Sequence, residues 1–250
     1  MHSTTPTEST LPPRTGLRRL GLLLLGAVTA VSALWWWAGT PGSLASVLRL
    51  TGHCLPAGQS LQTAQVEGSL RHGGQLGLWQ WQQGALQIQA HNTSITLDWS
   101  RLLHGMAPVS QLSMAHLKID DQTPASEPQA PTTWAWPVRV DLPWQIDRLQ
   151  WLGPPAFEVR ALKGLYRYDG LDHRLEMQPF EVAQGRYSLQ AQLQAASPMA
   201  LQVSVQGQVQ ANATSHSKPL ALQAQASLAG TLAGPQAALA LQAQLQPLIP

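Results

Sequence analysis

The most constraining feature of the chain is an alternation of apolar and polar residues that begins near Leu61 and continues to the end. It is most regular in three late stretches, residues 189–194, 201–206 and 239–246, where Gln fills most polar positions. A period of two places one residue type on each face of a β-strand. Because glycine-containing and Ser-Pro turn signals separate the stretches at short intervals, we expect about ten antiparallel strands. The sequence therefore predicts an all-β fold with one apolar face.

Charge and cysteine content exclude several classes of protein. Charged residues make up 11% of the 250 residues, hydrophobic residues 44%, and the formal net charge is +2. Disordered chains have the opposite balance, and nucleic-acid-binding domains carry a stronger basic patch. Cys54 is the only cysteine, so neither an intramolecular disulfide nor a cysteine-based metal site is expected.

An uninterrupted apolar run at residues 20–38 precedes the alternating region. Its length matches that of a helix crossing the hydrocarbon core of a bilayer. Arg18 and Arg19 flank its first end, and no charge follows until Arg49. The positive-inside rule therefore predicts a single-pass membrane anchor with a cytoplasmic N-terminus and an exported remainder.

Aromatic residues mark the outer end of the same run. Trp35, Trp36 and Trp37 are predicted at the membrane interface, as Arg18 and Arg19 are at the other side, because amphipathic rings prefer the headgroup level. The alternative is a secretory signal peptide cleaved near residues 31–33. Both interpretations export residues 41–250.

Composition divides the chain into six predicted segments. Ser43 is expected to cap a short helix through Leu50, although a plain connector is an equal alternative. The Pro-rich stretch cannot lie inside a sheet. Because the chain ends within the alternation, we expect the last segment to continue in a longer parent protein. The segments are a disordered cytoplasmic tail (1–16), a transmembrane signal anchor (17–40), a juxtamembrane connector with a short helix (41–60), a first β stretch (61–120), a Pro-rich linker (121–137) and a second β stretch (138–250).

No arrangement of residues in the sequence predicts catalysis. The 8 histidines do not form a metal-binding spacing, and neither a nucleophile elbow nor a phosphate-binding glycine loop is present. Glu176 and Glu181 are predicted on opposite faces of one strand, which is unsuitable for a paired-carboxylate site. We therefore predict a protein that is not an enzyme and that has no metal, no cofactor and no nucleic-acid partner.

An apolar sheet face must be covered by another layer, by the sheet itself or by a ligand. The two predicted helices are too few to form a layer, so we expect the sheet to curl. A closed sheet has an ordinary core, whereas an open one presents an apolar groove suited to acyl chains, and the pattern leaves both possible. In the open case, the predicted lipid-facing residues are Leu189, Ala191, Leu193, Leu201, Val203 and Val205.

An ordered set of motifs resembles the N-terminal part of the TamB family, within the wider AsmA-like group. The set begins with Leu55-Pro56-Ala57-Gly58 and Val66-Glu67-Gly68-Ser69-Leu70 and continues through Leu76-Gly77-Leu78-Trp79-Gln80-Trp81. It also includes Ile95-Thr96-Leu97-Asp98-Trp99 with Leu102-Leu103, and, after the Pro-rich break, Val140-Asp141-Leu142-Pro143-Trp144-Gln145-Ile146-Asp147. The resemblance covers about residues 14–150.

The resemblance implies a long, curled antiparallel sheet forming a U-shaped apolar groove, anchored in the inner membrane and extending through the periplasm. It implies phospholipid as the transported ligand, with assembly of outer-membrane proteins as the alternative function. The family's contact with a TamA-like outer-membrane barrel involves a C-terminal domain without a counterpart in these 250 residues. About ten strands at ~4.8 Å each build a groove of only about 50 Å.

Overall fold

A computed structural model describes the backbone of residues 15–122, 133–182, 185–211, 220–234 and 237–247. The side chains of residues 15–21, 210–211 and 220–221 are outside this description. The predicted cytoplasmic tail, apart from its last two residues, and the centre of the predicted Pro-rich linker therefore lie outside the described residues, as do the side chains of Arg18 and Arg19.

Two helices open the described chain: α1 (Thr15–Ala38) and α2 (Ser43–His53). Within the described residues, no single helix is long and apolar enough to cross a membrane. The segments Leu22–Ala38 and Ser43–His53 reach that length and apolarity only as a pair, and they are bent by 102° relative to each other. The single-pass anchor therefore stays a prediction.

The start of α2 differs from the expected cap at Ser43. The capping position belongs to Gly42, in a left-handed conformation with φ of 89°, and the helix continues to His53, beyond the predicted end at Leu50. The Ser43 hydroxyl instead lies near the carbonyl oxygens of Ala38 and Thr40. Glycine occupies the cap because the sharp bend between the helices requires a positive φ.

Eleven strands follow in one open sheet, and their order in the sheet is their order in the chain. The all-β prediction is confirmed, with one strand more than expected. A 3-10 helix (Trp99–His104) separates the third and fourth strands. The strands are β1 (Gln59–Ser69), β2 (Gly73–Gln83), β3 (Leu86–Leu97), β4 (Val109–Asp121), β5 (Val140–Trp151), β6 (Phe157–Tyr168), β7 (Asp172–Val182), β8 (Gly185–Gln194), β9 (Ala200–Ala211), β10 (Leu220–Thr231) and β11 (Ala238–Pro247).

One strand pair corrects the predicted purely antiparallel sheet. β4 and β5 pair in parallel, from Leu112 opposite Trp144 to Ile119 opposite Trp151, whereas the other nine neighbouring pairs are antiparallel. Parallel neighbours need a connection that returns to the same end of the sheet. The connection between β4 and β5 is the stretch that contains the Pro-rich break, and it is long enough to return.

A transverse row of residues interrupts the regular backbone of the first six strands. Three of them have positive φ angles: Gln65 (54°), Asn92 (50°) and Ala161 (57°). Each ladder from β1 to β6 lacks the pairing at this row, although the register on both sides is the same. The row consists of Gln65, Gly77, Asn92, Ala115, Asp147 and Ala161.

Side-chain alternation changes phase at this row. Ala90 and Thr93 are three residues apart and would face opposite sides of a regular strand, yet both are buried. Trp79, the cross-strand neighbour of Ala90, donates from Nε1 to the Thr93 hydroxyl at 2.9 Å. Val159 and Leu162 likewise share one buried cluster across the row. The phase change keeps the apolar side chains on one face although the sequence pattern shifts by one residue.

The phase change ends at β7. The register between β7 and β8 shifts between Met177 and Phe180, and both side chains belong to the same apolar cluster. From β8 to β11 the ladders are uninterrupted. The strictly alternating late sequence therefore forms the part of the sheet with regular pairing.

The β1–β2 turn provides a test of backbone constraints. Gly68 has a φ of 118°, and a Cβ there would overlap the carbonyl oxygen of Gly73 and the Cα of Gly74. Gly84 also has a positive φ (56°), but nothing lies within 4 Å of the corresponding Cβ position. We expect Gly84→Ala to cost about 1–2 kcal/mol of unfolding free energy, and Gly68→Ala about 1–3 kcal/mol more from overpacking.

Urea unfolding of the purified protein, followed by circular dichroism, measures this difference. Gly84→Ala is the matched control, because it carries the backbone strain without the steric overlap. Equal midpoints for the two variants would contradict the tight packing described for the turn.

Candidate functional site

The apolar face of the sheet is centred on a buried cluster in β6 and β7. Val159, Leu162 and Phe180 are at most 9% exposed. Partly buried apolar side chains from β5, β7 and β8 pack around them: Trp144, Ile146, Leu149, Met177, Val182, Tyr187 and Leu189. Side chains from the neighbouring strands thus bury this part of the face. In the described chain, α1 and α2 lie at the β1 edge of the sheet rather than over the apolar face.

The six predicted lipid-facing residues lie together on β8 and β9. Leu189, Ala191 and Leu193 of β8 are directly opposite Val205, Val203 and Leu201 of β9, respectively. Directly opposed residues share a sheet face. The six side chains are partly buried, whereas Gln190, Gln192 and Gln202 are exposed. In β10 the same face continues through Ala226 and Leu228, which oppose Val205 and Val203.

Sequence reasoning missed the β5–β7 half of this face. Its apolar residues occur in pairs three apart, such as Ile146 with Leu149, and so break the simple alternation. The signal in the sequence was the shift of apolar residues from even to odd positions within one strand. Leu86, Ile88 and Ala90 occupy even positions, whereas Ile95 and Leu97 occupy odd positions, and all five belong to β3.

The segment that leads into β5 crosses one end of the apolar face. Residues 133–136, here called the strap, pass beside β7 and β8. Thr133 forms a β-bridge with Ala196, and the Trp134 amide donates to the Ala195 carbonyl at 2.8 Å. The Trp134 ring lies 5.5 Å from the ring of His173, which is opposite Leu193 in the sheet.

Three side chains fix the strap to the sheet through consecutive hydrogen bonds. Trp136 Nε1 donates to the Tyr166 hydroxyl at 3.0 Å. That hydroxyl is 2.7 Å from Nδ1 of His173, whose Nε2 is 2.5 Å from the Trp134 carbonyl oxygen. All three contacts are satisfied if the phenol donates to Nδ1 and a neutral imidazole donates from Nε2. Burial raises the pKa of the Tyr166 phenol above its ordinary value, so the phenol remains a donor at neutral pH.

We expect Tyr166→Phe to loosen the strap, because it leaves Trp136 Nε1 and His173 Nδ1 without their shared partner. The measurement is hydrogen exchange of the Trp134 amide, which bonds to Ala195, and the exchange rate should rise several-fold. Tyr168→Phe is the matched control, since the Tyr168 hydroxyl donates only to the Gly170 carbonyl in a turn. Equal exchange rates in the two variants would show that the phenol does not hold the strap.

At the opposite edge of the sheet, the β1–β2 turn is joined to the helices at a polar junction. The Ser43 side chain is 2% exposed, and its hydroxyl is 3.0 Å from the Ala38 carbonyl oxygen and 2.9 Å from that of Thr40. It also accepts from the Leu70 amide at 3.0 Å. Two backbone bonds reinforce the junction, from Arg71 to Ala38 and from Gly42 to Gly68. The sheet edge and the α1–α2 bend are therefore one hydrogen-bonded unit.

The predicted membrane-interface tryptophans lie directly before this junction. Trp36 is 77% exposed, whereas Trp35 and Trp37 are 44% and 39% exposed. The Arg71 guanidinium lies over the Trp35 ring, 4.8 Å from its centroid. A cation at this distance from an aromatic face is attracted by the ring quadrupole.

Removing the Ser43 hydroxyl tests the junction. We expect Ser43→Ala to cost about 1–3 kcal/mol of unfolding free energy, because the Leu70 amide loses its partner in a buried site. Ser46→Ala is the matched control, since Ser46 is exposed and its hydroxyl donates only to the Gly42 carbonyl of its own helix. Thermal unfolding compares the two, and an unfolding midpoint of Ser43→Ala equal to that of Ser46→Ala would contradict this role.

The polar face carries a row of basic residues next to the transverse row where the alternation changes phase. His91, His116, Arg148 and Arg160 are cross-strand neighbours from β3 to β6. Glu158 forms ion pairs with Arg160 at 2.6 Å and Arg148 at 3.6 Å, and the hydrogen bond from Arg160 holds the pKa of that carboxyl below its ordinary range.

Within the described residues, no group of three or more His, Cys, Asp or Glu side chains is placed to hold a metal ion.

The structure is an all-β protein with one open, curled sheet and a helical base at its first edge, an arrangement compatible with a groove. The family model for the N-terminal domain of TamB matches residues 30–152. The chain thus has a TamB-like N-terminal region, as the motifs predicted, and this family is associated with the inner membrane. No curated protein and no solved structure matches the chain.

The matched region covers the junction and extends through the whole of β5, and the structure gives several of its motif residues a role. Gly68 and Leu70 of the Gly68-Ser69-Leu70 motif form the turn that the Ser43 hydroxyl holds. Trp99 donates from Nε1 to the Leu70 carbonyl at 2.8 Å. Strands β6 to β11 continue the same sheet beyond the matched region.

Proposed function

We propose that the apolar face of the sheet is a path along which phospholipid acyl chains move toward the outer membrane. The protein acts as the proximal section of a periplasmic groove, and it is not an enzyme. The observation that carries the proposal is the continuity of the face: cross-strand neighbours keep apolar side chains on one side from β5 to β10.

The phase change supports this function because it keeps the apolar face continuous. Positive φ costs free energy at Gln65 and Ala161, and the irregular row extends over six strands. An apolar face that accommodates a sliding acyl chain must not be interrupted by polar side chains. Resetting the alternation in every strand of the row meets this requirement.

The membrane arrangement forms part of the proposal. Residues 17–40 anchor the protein in the inner membrane with the N-terminus in the cytoplasm, and the sheet lies in the periplasm. The ligand is a phospholipid, without a cofactor or a metal.

Site-specific photo-crosslinking tests the path. A photoreactive residue at Val203 is expected to capture phospholipid in membranes, whereas one at Gln202 is not, because the two positions face opposite sides of β9. Val203 lies in the centre of the face, opposite Ala191 and Leu228. Equal capture at both positions, or capture at neither, would rule out the path.

A charge at the same position separates a path from a closed core. We expect Val203→Lys to reduce lipid transfer between donor and acceptor vesicles at least about tenfold, while the thermal midpoint changes little, because an open face leaves the ammonium group in contact with water. In a closed core the unpaired charge costs several kcal/mol and unfolds the sheet. Gln202→Lys, on the exposed face, is the control for charge alone.

The second candidate function is a scaffold for outer-membrane protein assembly. Within the described sheet, β11 pairs only with β10, and its residues are exposed along its whole length. Such an edge offers unpaired backbone groups to a client strand. Crosslinks from β11 to barrel precursors, without lipid capture at Val203, would favour the scaffold over the lipid path.

A further inference from the structure

An apolar cleft lies between the end of α1 and the first edge of the sheet. Its volume is about 340 Å³, within the size range of small-molecule sites. The lining is almost entirely apolar: Val31, Leu34, Trp35, Trp37 and Ala38 come from α1, and Leu70 and Trp99 come from the sheet side. The cleft is separate from the face formed by β5–β10.

Two polar groups that border the cleft are already bonded within the protein. Trp99 Nε1 donates to the Leu70 carbonyl at 2.8 Å, and the Ala38 carbonyl accepts from the Arg71 amide at 3.0 Å. These same bonds fix the two walls relative to each other. A cavity without free polar partners does not retain ordered water and instead accepts an apolar ligand.

A cation lies at the rim. The Arg71 guanidinium is 4.8 Å from the Trp35 ring centroid, and its stem passes Gly39, where a Cβ would be 3.6 Å from Arg71 Cδ. Within the described part of the chain, no carboxylate forms an ion pair with Arg71. The exposed guanidinium is therefore available to an anionic group, and its planar donors suit phosphate oxygens.

We infer that this cleft binds one acyl chain of a phospholipid, with the lipid phosphate beside Arg71. The apolar surface of α1 from Leu22 to Leu34 is largely exposed and leads to the cleft, so a membrane lipid beside this helix reaches the cleft without crossing water. The inference rests on the proposed function, since it assigns the position at which a lipid first contacts the sheet. The proposed site lies at the helix–sheet junction, before the apolar face begins.

Photo-crosslinking in nanodiscs of phosphatidylethanolamine and phosphatidylglycerol tests the site. A photoreactive residue at Leu70 is expected to capture phospholipid, because this side chain belongs to the sheet and lines the cleft. One at His72, which is exposed on the same turn, is the control for simple proximity to the bilayer. Equal capture at both positions would overturn the inference.

Filling the cleft provides an independent measurement. We expect Ala38→Phe to reduce capture at Leu70 about tenfold, a change of about 1.4 kcal/mol in binding. Ala33→Phe on the exposed surface of the same helix should leave capture unchanged. If Ala38→Phe disturbs folding, Arg71→Gln remains informative, because it leaves the cleft intact and should lower capture of the lipid several-fold, with partial rescue by Arg71→Lys.

The outcomes separate the two proposals. Capture at Val203 without capture at Leu70 overturns the cleft and leaves the lipid path standing. Capture at Leu70 that is lost in Ala38→Phe, without capture at Val203, supports the cleft and contradicts the path. Capture at neither position contradicts both.

Discussion

The period-two alternation of β-strand side chains is the constraint on which the rest of the structure depends. In a single sheet without a helical layer over its centre, apolar residues are removed from water only if all strands present them on the same side. Where the sequence pattern slips by one residue, the backbone compensates with a left-handed residue, as at Asn92. Asn tolerates this conformation better than most residues, whereas Gln65 and Ala161 adopt it at a cost that burial of the apolar face offsets.

The sheet is joined to the helices by a small number of buried bonds. The Ser43 hydroxyl, almost fully buried, connects the α1–α2 bend to the Leu70 amide, and Trp99 supports the same turn from the other side. Because the helix end and the sheet edge share these bonds, the orientation of the sheet relative to α1 is fixed locally. The apolar cleft lies between them and is lined by the rings of Trp35, Trp37 and Trp99.

The parallel β4–β5 pair has a consequence for the apolar face. A parallel neighbour requires a long return connection, and the described end of that connection is the strap at residues 133–136. The strap is fixed by Tyr166 and His173, which lie on the same face as Leu193. One end of the face is therefore partly covered, while at its centre Val203 lies between Ala191 and Leu228 of the neighbouring strands. A lipid path along the face must pass beside the strap or displace it.

The sequence by itself determined the all-β class, the apolar and polar sides of β8 and β9, and the family of the N-terminal region, because alternation and ordered motifs are local properties. The tertiary structure alone decided three things: the β4–β5 parallel pair, the joining of the even-phase and odd-phase halves of β3 into one strand, and the contact of Ser43 with Leu70. Each depends on residues distant in sequence. The direction of pairing depends on where a long loop returns, a phase change is compensated by neighbouring strands, and a hydroxyl bonds to whichever buried amide the fold brings to it.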